Sequence, residues 1–535
     1  MQTLSSEMHW TRGAVGYEVY IRSFMDSNGD GIGDLPGITA KLDYLVELGV
    51  DVVWITPFFP SPGHDHGYDV SDYCDVDPQF GTLRDFDELV AQAQSRGLRI
   101  FVDIVPNHTS SAHQWFQAAI ADVDSPYRDY YHFRDGGPDG GPPNNWVSHF
   151  GGSAWTADPA GTGKYYLHLF LHEQPDLNWS NPAVLNEFES ILTFWCERGV
   201  DGFRIDVAHG LMKDAQFRNN PQLRPVTPEM HPTDVFMSFD HLYDLHQAET
   251  AGVFREWRRC VAPYGAVLLG EMDTRNIYRF SEYVSRRDGL DFGFVLKIGL
   301  TDWAPNQQID DLLQYLLAAN GGAAWEVSNH DQARAVSRFA TDPGGTETGL
   351  RRTMALTTAM VALDGMTFIY QGEELGLPDS IILGDAEDPL SARNGGGWGR
   401  DVARGGIPWN SSVNNGFTAA AQAWMPTAEV PRELTAEFQV TQPGSTWSRY
   451  RDMLTIRKRL HEDFAQPLQI RLRTESALVV QRGRVTVLAN FGAEPLYYSL
   501  APFTIEYESC RGAAHAAANG LAVQPESTVV VRRHL

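Results

Sequence analysis

Several features that would assign the chain to particular protein classes are scarce in its sequence or missing from it. Only four cysteines occur among the 535 residues, and they lack the paired spacing of a zinc site. This usage favours reduced thiols in a cytoplasm over a disulfide framework. No apolar stretch approaches the roughly 20 residues of a membrane helix. The amino-terminal residues lack a basic start followed by an apolar run, so we expect no signal peptide and a cytoplasmic location.

Positive charge is also in short supply. The chain has 42 lysines and arginines against 68 aspartates and glutamates, which gives a formal net charge of −26. An acidic surface attracts neither nucleic acids nor anionic membranes, so we expect neither as a partner. No P-loop and no dinucleotide-binding glycine motif follows an apolar run, so we expect no organic cofactor. The sequence leaves the oligomeric state open.

Short apolar runs of strand length recur along the chain. Several are nearly continuous in apolar residues, as parallel strands buried on both faces are. Amphipathic stretches with helical spacing separate most of them, and glycine often ends these stretches. Strands that alternate with helices in this way predict an α/β fold, a (β/α)8 TIM barrel. The eight runs are residues 15–24, 50–57, 98–105, 200–207, 266–272, 291–298, 323–331 and 366–376.

Two segments interrupt this alternation. The first follows the third strand, is rich in glycine, proline and aromatic residues, and is too long for an ordinary barrel loop, which predicts a small inserted domain. The second, at the carboxyl end, contains short strands parted by turns and predicts an all-β domain, a β-sandwich. The predicted order is barrel (1–105), inserted domain (106–180), barrel (181–462) and C-terminal domain (463–535).

Polar side chains collect at the carboxyl ends of the predicted strands, where the active sites of such barrels lie. They comprise four carboxylates, two imidazoles and one guanidinium: Asp103, His108, Arg204, Asp206, Glu271, His330 and Asp331. Glycoside cleavage needs one ionised and one protonated carboxyl group. Asp206 suits the first role because Arg204 favours its charged form, and Glu271 suits the second because apolar residues flank it.

The stretch DSNGDGIGD at residues 26–34 places oxygen donors at alternate positions, as a calcium-binding loop does. An EF-hand loop would have glutamate at its twelfth position, where this chain has Gly37, so we do not expect a calcium sensor. A bound divalent cation and a solvated turn without metal both fit the pattern, and we favour the cation. Its ligands would be Asp26, Asn28, Asp30, Asp34 and the carbonyl of Ile32.

Five short motifs occur in a fixed order along the chain. They are DIVPNH (103–108), QPDLN (174–178), GFRIDV (202–207), LLGEM (268–272) and SNHD (328–331). Four of them closely resemble the motif regions of the α-amylase family, glycoside hydrolase family 13. QPDLN resembles a fifth region, which marks the oligo-1,6-glucosidase branch that includes α-glucosidases. The resemblance covers the whole chain.

This resemblance implies a role for each site residue. Asp206 would be the nucleophile, Glu271 the general acid/base, and Asp331 the carboxylate that binds sugar hydroxyls and strains the ring. Arg204 would keep Asp206 ionised, and the loop at 26–34 would hold a structural Ca²⁺ or Mg²⁺ remote from the broken bond. The other substrate-binding residues would be His108, His330, the stacking ring Tyr68, the apolar wall Phe170, and the pair Asp65 and Arg404 on the pocket floor.

The activity implied is that of a retaining, exo-acting α-glucosidase. It would release terminal α-linked glucose from short oligosaccharides or α-glucosides through a covalent glucosyl-Asp206 intermediate, with some transglycosylation. A transferase or isomerase of the same family, acting on trehalose or sucrose, is the alternative; a non-catalytic relative is disfavoured by the full set of carboxylates. Val207 accompanies α-1,6 cleavage in this branch, but Ala208-His209-Gly210 matches neither common pattern, so the preferred linkage stays open.

Overall fold

In the part of the chain that the structure describes, strands form a closed barrel and three further sheets. The structure, a computed structural model, describes residues 10–534 except 228, 273–276, 286–287, 341–343, 394–398 and 518. In chain order the strands are β1 (Val15–Val19), β2 (Val52–Ile55), β3 (Arg99–Ile104), β4 (Phe133–Asp135), β5 (Trp155–Ala157), β6 (Lys164–Leu167), β7 (Gly202–Ile205), β8 (Val267–Gly270), β9 (Phe292–Phe294), β10 (Ala323–Trp325), β11 (Met366–Tyr370), β12 (Gln469–Arg473), β13 (Ala477–Arg482), β14 (Val485–Asn490), β15 (Leu496–Ser499), β16 (Phe503–Glu508), β17 (Ala514–Ala517), β18 (Gly520–Val523) and β19 (Ser527–Arg533).

Helices follow most barrel strands and cover the outside of the barrel. Helix ends carry the expected caps; Thr82, for example, forms a capping box with Asp85 at the start of the third helix. The helices are α1 (Leu35–Ala40), α2 (Leu42–Leu48), α3 (Leu83–Ser95), α4 (Gln114–Ala121), α5 (Pro182–Glu197), α6 (Pro232–Phe236), α7 (Thr250–Val261), α8 (Ile277–Tyr283), α9 (Leu296–Leu300), α10 (Pro305–Ala318), α11 (Ala335–Arg338), α12 (Gly345–Val361), α13 (Pro389–Arg393), α14 (Ala436–Thr441), α15 (Thr446–Arg459) and α16 (His461–Phe464).

The barrel consists of eight parallel strands in the order β1-β2-β3-β7-β8-β9-β10-β11, with β11 paired to β1. Each of the eight apolar runs chosen from the sequence contains one of these strands, so the predicted TIM barrel is confirmed. Because all eight strands run in the same direction, their carboxyl ends meet on one rim.

Large apolar side chains fill the lower part of the barrel. Trp54, Phe101, Phe294 and Phe368 belong to one buried cluster. Trp54 marks the change from apolar to polar layers: its ring lies 5.4 Å from that of Phe294, and its Nε1 donates to Oδ2 of Asp103 at 3.3 Å. Charged groups above this layer therefore lie against an apolar floor, which strengthens their interactions with one another.

The chain leaves the barrel after β3 and returns to it with α5. This excursion contains an antiparallel sheet of order β4-β6-β5. Its core is shared with the long segment that follows β7, because Trp146 and Trp155 pack in one cluster with Phe236 and Leu245. The indole Nε1 of Trp146 also donates to the carbonyl oxygen of Arg218 at 2.9 Å. The two excursions thus form a single wall above the carboxyl ends of the strands.

Two antiparallel sheets follow the last helices, with orders β12-β13-β14-β19-β16 and β15-β18-β17. Their apolar faces share one core, in which Val479, Leu488, Leu521 and Val529 are buried. The barrel, the insertion and the C-terminal sheets agree with the predicted fold class. The residue limits given for the domains stay predictions, and the first of them begins in residues 1–9, outside the described residues. Within the described residues, no helix combines the length and apolar character that crossing a bilayer requires.

A bridging carboxylate attaches the C-terminal sheets to the barrel. Glu526 accepts from Nε of Arg351 at 3.2 Å and from Nε of Arg352 at 2.7 Å, and both arginines lie on α12. The Glu526 side chain is 12% exposed, so water replaces these contacts poorly when they are lost. The bridge therefore contributes to the attachment of the two domains.

Glu526→Ala should destabilise the protein, because it leaves two partly buried guanidinium groups without their carboxylate. We expect a loss of about 1–3 kcal/mol, measured as a shift of the urea unfolding midpoint. The control is Asp452→Ala, which removes a pair whose Arg451 and Asp452 side chains are 37% and 55% exposed and should cost less than ~1 kcal/mol. Equal losses in the two variants would contradict a bridging role for Glu526.

Candidate active site

One buried guanidinium joins three carboxyl groups at the rim of the barrel. Nη1 of Arg204 donates to both oxygens of Asp103, at 3.0 and 3.1 Å, and to Oδ1 of Asp206 at 2.6 Å. Nη2 of Arg204 lies 3.0 Å from Oε2 of Glu271. Arg204 is only 3% exposed, so solvent screens these interactions little. The structure thus brings together four residues that the sequence placed at strand ends.

Strand geometry explains this convergence. Arg204 and Asp206 are two residues apart, so their side chains point to the same side of the strand. Asp103 in β3 is in register with Arg204 in β7. Glu271 follows β8 directly. Each functional group is therefore fixed by a strand end rather than by a flexible loop.

Burial and shared charge set the protonation of this cluster. Burial raises the pKa of Asp103 to about 7, although Arg204 opposes the rise. Burial also raises the pKa of Asp206, while Arg204 opposes the rise and Glu271 adds to it. Three carboxyl groups face one positive charge, which favours a proton on the cluster beside an ionised carboxylate. Glycoside cleavage requires that combination of one acid and one carboxylate.

The residue after Asp206 adopts a strained conformation that points its amide at Glu271. Val207 has φ 43° and ψ 42°, a left-handed conformation that β-branched residues rarely adopt and that costs about 1–3 kcal/mol. Its N–H donates to Oε2 of Glu271 at 3.0 Å. This bond and the contact with Arg204 engage the same oxygen of Glu271.

Two arginines bind Asp331 on the opposite side of the pocket. Nη1 of Arg400 and Nη2 of Arg404 lie 3.2 and 2.9 Å from Oδ1 of Asp331. Arg400 also binds two other carboxylates, since its Nη2 lies 2.7 Å from Oδ1 of Asp65 and 2.8 Å from Oδ1 of Asp388. Burial works against the ionisation of Asp331, but the neighbouring imidazole and both guanidinium groups outweigh it and lower its pKa below the usual range. Asp331 is therefore a carboxylate.

The predicted pair of Asp65 and Arg404 is wrong, because Asp65 pairs with Arg400. Arg404 donates from Nε to the carbonyl oxygen of His330 at 2.8 Å and from Nη1 to Nδ1 of His66 at 3.2 Å. Both arginines stand in the stretch RDVARGGIPW, four residues apart, and the family resemblance indicates a role for the second alone. The path of the loop, which spacing does not reveal, decides which guanidinium reaches Asp65.

Aromatic and imidazole rings line the pocket between these charges. Tyr68 stacks on His330, with ring centroids 5.4 Å apart and ring planes at 9°. Nε2 of His108 lies 3.0 Å from the carbonyl oxygen of Tyr68 and 3.0 Å from Nε2 of Gln174. Phe170 is half-buried, with its ring centroid 5.2 Å from that of His108. Gln174, the first residue of QPDLN, thus lies in the site, although the motif by itself indicates no role for this side chain.

Hydrogen bonds within the chain hold the loop at 26–34. Oδ1 of Asp26 accepts from the N–H groups of Asn28 at 3.0 Å and Gly29 at 2.7 Å. Oδ1 of Asp34 accepts from the N–H of Gly37 at 2.6 Å and thereby caps α1. The donor set consists of oxygen atoms, which suits a hard cation. Among the described residues, however, no three Asp, Glu, His or Cys side chains are grouped closely enough to hold a metal ion, so the cation stays a prediction.

Parallel barrels of this kind carry their active sites at the carboxyl ends of the strands, and glycoside cleavage needs two carboxyl groups such as those on this rim. A family model described as the alpha amylase catalytic domain matches residues 18–464. The chain belongs to this family, glycoside hydrolase family 13, as its five motifs predicted.

Two similar proteins and one similar crystal structure indicate the branch of the family. A probable alpha-glucosidase of Rhizobium meliloti (strain 1021) is 40% identical over 473 residues, covering 85% of this chain and 84% of the relative. An oligo-1,6-glucosidase of Parageobacillus thermoglucosidasius is 36% identical over 492 residues, covering 84% of each chain. The crystal structure of the alpha-glucosyl transfer enzyme XgtA superposes with a TM-score of 0.88 at 34% identity, covering 98% of this chain and 99% of that one. The predicted oligo-1,6-glucosidase and α-glucosidase branch is confirmed.

Removal of divalent cations should lower the melting temperature if the loop at 26–34 binds one, because a ligand bound only by the folded form stabilises it by mass action. We expect EDTA to lower the melting temperature and excess Ca²⁺ or Mg²⁺ to restore it. Asp30→Ala, which removes an exposed side chain among the predicted ligands, should abolish this response while leaving a folded protein. An identical melting curve with and without EDTA, in protein that elemental analysis shows to be metal-free, would favour the solvated turn.

Proposed function

We propose that the protein is a retaining, exo-acting α-glucosidase that releases terminal α-linked glucose from short oligosaccharides or α-glucosides. The observation that carries the proposal is the attachment of Asp206 and Glu271 to the two terminal nitrogens of one guanidinium, that of Arg204. Carboxyl groups bound to one small planar group stay close together. Retaining glycosidases need a separation of about 5–5.5 Å, whereas inverting ones need room for a water molecule.

In the first half-reaction the Asp206 carboxylate attacks the anomeric carbon while Glu271 gives its proton to the leaving oxygen. The glycosidic bond breaks, and a glucosyl ester of Asp206 forms. In the second half-reaction Glu271, now a carboxylate, takes a proton from water as the water oxygen attacks the same carbon. The ester bond breaks and Asp206 is regenerated as a carboxylate. Two inversions at one carbon give α-glucose.

The fixed partners of each carboxyl group support these assignments. Arg204 favours the charged form of Asp206 during attack and remains positive throughout. The N–H of Val207 holds Oε2 of Glu271, which leaves Oε1 to exchange the proton. Asp331, ionised and bound by two arginines, suits the binding of two sugar hydroxyls, where its charge also stabilises the positive charge that develops on the ring.

Exo action is supported by the network around Arg400. This side chain is 11% exposed and binds Asp65, Asp388 and Asp331 at once. Such a network fills the end of the pocket and supplies polar atoms for the terminal sugar. A glucan chain that continued beyond this sugar would have to break ion pairs that are largely shielded from water.

Net charge, cysteine usage and the loop at 26–34 support the proposed substrate, location and bound cation. A neutral small sugar suits a chain of net charge −26, which would repel anionic polymers. The four cysteines, all in described residues, are free thiols, which supports a cytoplasmic location. The loop at 26–34, with a Ca²⁺ or Mg²⁺ ion, would add stability away from the reacting groups.

Glucosyl transfer is a second candidate function. Its support is the likeness of the whole chain to an alpha-glucosyl transfer enzyme over 98% of its length. The two activities share the first half-reaction and differ in whether water or a sugar hydroxyl attacks the glucosyl ester. Product analysis after incubation with maltose, isomaltose, sucrose and trehalose would separate hydrolysis from transfer and isomerisation.

The proposed mechanism predicts retention of configuration. Proton NMR of the first glucose released from maltose or isomaltose should show the α-anomer before mutarotation. Asp206→Asn should lower kcat by at least ~10³-fold, because an amide does not replace the nucleophile. Glu271→Gln should lower kcat by a similar factor on substrates with poor leaving groups. The loss should be much smaller on a 4-nitrophenyl glucoside, because 4-nitrophenolate departs without a proton. Initial release of β-glucose would contradict the assignment of Asp206.

Arg400→Ala should weaken the reaction on short substrates, since it removes the cation that three pocket carboxylates share. We expect kcat/KM on maltose or isomaltose to fall at least about 30-fold, which corresponds to a loss of ~2 kcal/mol of transition-state stabilisation. The control is Arg451→Ala. It changes an arginine whose side chain is 37% exposed and pairs with Asp452, outside the pocket residues, so it should behave like the wild type. The exo assignment is contradicted if the wild type rapidly lowers the viscosity of starch, or if Arg400→Ala keeps full kcat/KM.

A further inference from the structure

A row of hydrogen bonds runs beneath the pocket from β1 to β3. Oε1 of Glu18 lies 2.5 Å from Nδ1 of His330. The other ring nitrogen, Nε2, lies 2.9 Å from the hydroxyl of Tyr68, and this hydroxyl lies 3.1 Å from Oδ2 of Asp103. The exposures of Glu18, His330, Tyr68 and Asp103 are 1%, 2%, 6% and 0%.

The row holds one proton more than its ordinary protonation states supply. Three contacts need three protons, because two acceptor atoms at these distances repel unless a hydrogen lies between them. A neutral imidazole and a neutral phenol supply two. The third proton resides on Glu18, on Asp103, or on His330 as a second ring proton.

The surroundings of each group favour Glu18 as the carrier. Burial raises the pKa of Asp103 to about 7, but Asp103 accepts two bonds from Arg204, which oppose this rise and favour its charged form. The carbonyl of His330 binds Arg404, and this nearby positive charge disfavours a second proton on the ring. Burial lowers the pKa of His330 to about 3, which points the same way.

Glu18 itself lacks the partners that an ionised carboxylate needs. Its Oε2 is buried and has no hydrogen-bond partner among the described residues. A charged oxygen costs far more in such a place than the carbonyl oxygen of a neutral acid. Burial, together with the charge of Glu326, raises the pKa of Glu18 well above its usual range.

We propose that Glu18 is a positioning residue that acts through His330: as a neutral acid it donates to Nδ1 and so fixes the ring proton on Nε2. This N–H then faces two oxygens, the hydroxyl of Tyr68 and, at 3.5 Å, Oδ2 of Asp331. Both oxygens belong to residues of the sugar-binding pocket. The catalytic consequence rests on the proposed function, whereas the position of the proton does not.

The proton on Glu18 gives the protein a pH-dependent stability. Charged and titratable groups that face the row from the surrounding elements are Glu326, Glu271, Asp206, Asp331, Arg204, Arg400 and Arg404. In the unfolded chain Glu18 loses its proton in the usual range of glutamate, while the folded protein keeps it. Folding above that range takes up a proton, so the wild type loses stability as the pH rises toward the raised pKa of Glu18.

The experiment compares Glu18→Gln with Glu18→Leu. Glutamine can donate from its amide to Nδ1 as a neutral acid does, whereas leucine cannot. With 4-nitrophenyl α-glucoside as the probe, kcat/KM should fall at least ~10-fold in Glu18→Leu and stay within about threefold of wild type in Glu18→Gln. The melting temperature of Glu18→Gln relative to wild type should rise steadily between pH 5 and pH 8, because glutamine has no proton to lose.

A control variant and two contrary outcomes make the test decisive. Glu374→Gln changes another buried glutamate, which accepts from Tyr17 at 2.9 Å and Tyr44 at 2.7 Å outside the row, and it should keep kcat/KM. The proposal is overturned if Glu18→Gln loses as much kcat/KM as Glu18→Leu, or if its relative melting temperature stays level or falls as the pH rises. A wild type without activity on the glucoside, maltose and isomaltose contradicts the proposed function instead, and the melting comparison still locates the proton.

Discussion

The active-site rim depends on one buried cation. Arg204 is the positive charge around which Asp103, Asp206 and Glu271 are arranged, and without it three carboxyl groups would lie close together in an apolar setting. Burying an ion is costly unless its partners are held in good geometry. Here the barrel supplies that geometry through the register of β3 with β7 and through the turn at Val207. The fold therefore supports a charge arrangement that a loop-built site would have difficulty in maintaining.

Residues on strands could be located from the sequence because two patterns coincide there. Parallel strands buried on both faces give continuous apolar runs, and a charged residue at the end of such a run stands out. Asp103, Arg204, Asp206 and Glu271 all meet this description, and the structure places them together. Glu18 carries a related signal, a lone carboxylate within the apolar strand VGYEV, but it lies outside the five motifs that point to the site.

Loop contacts could not be read from the sequence in the same way. Asp65 and its partner Arg400 are separated by 335 positions, and each lies on a loop whose path is set by packing rather than by a periodic pattern. The wall formed by the inserted sheet and the segment after β7 has the same character, since Trp146 and Phe236 meet only because both excursions rise from one rim. The sequence indicates which types of residue complete such a pocket. Packing decides which individual residue of a type, Arg400 or Arg404 for example, occupies the position.

The surplus of negative charge in the pocket favours the transition state of the reaction over the bound, neutral sugar. Asp65, Asp103, Asp206, Glu271 and Asp331 outnumber the three arginines that bind them. A resting sugar is neutral and gains little from this surplus of negative charge. The transition state of glycoside cleavage has oxocarbenium character, and in the proposed reaction its positive charge would develop beside these carboxylates. Because strands and ion pairs already hold the carboxylates in place, they need little rearrangement when that charge appears, so the interaction is stronger in the transition state than with the bound substrate.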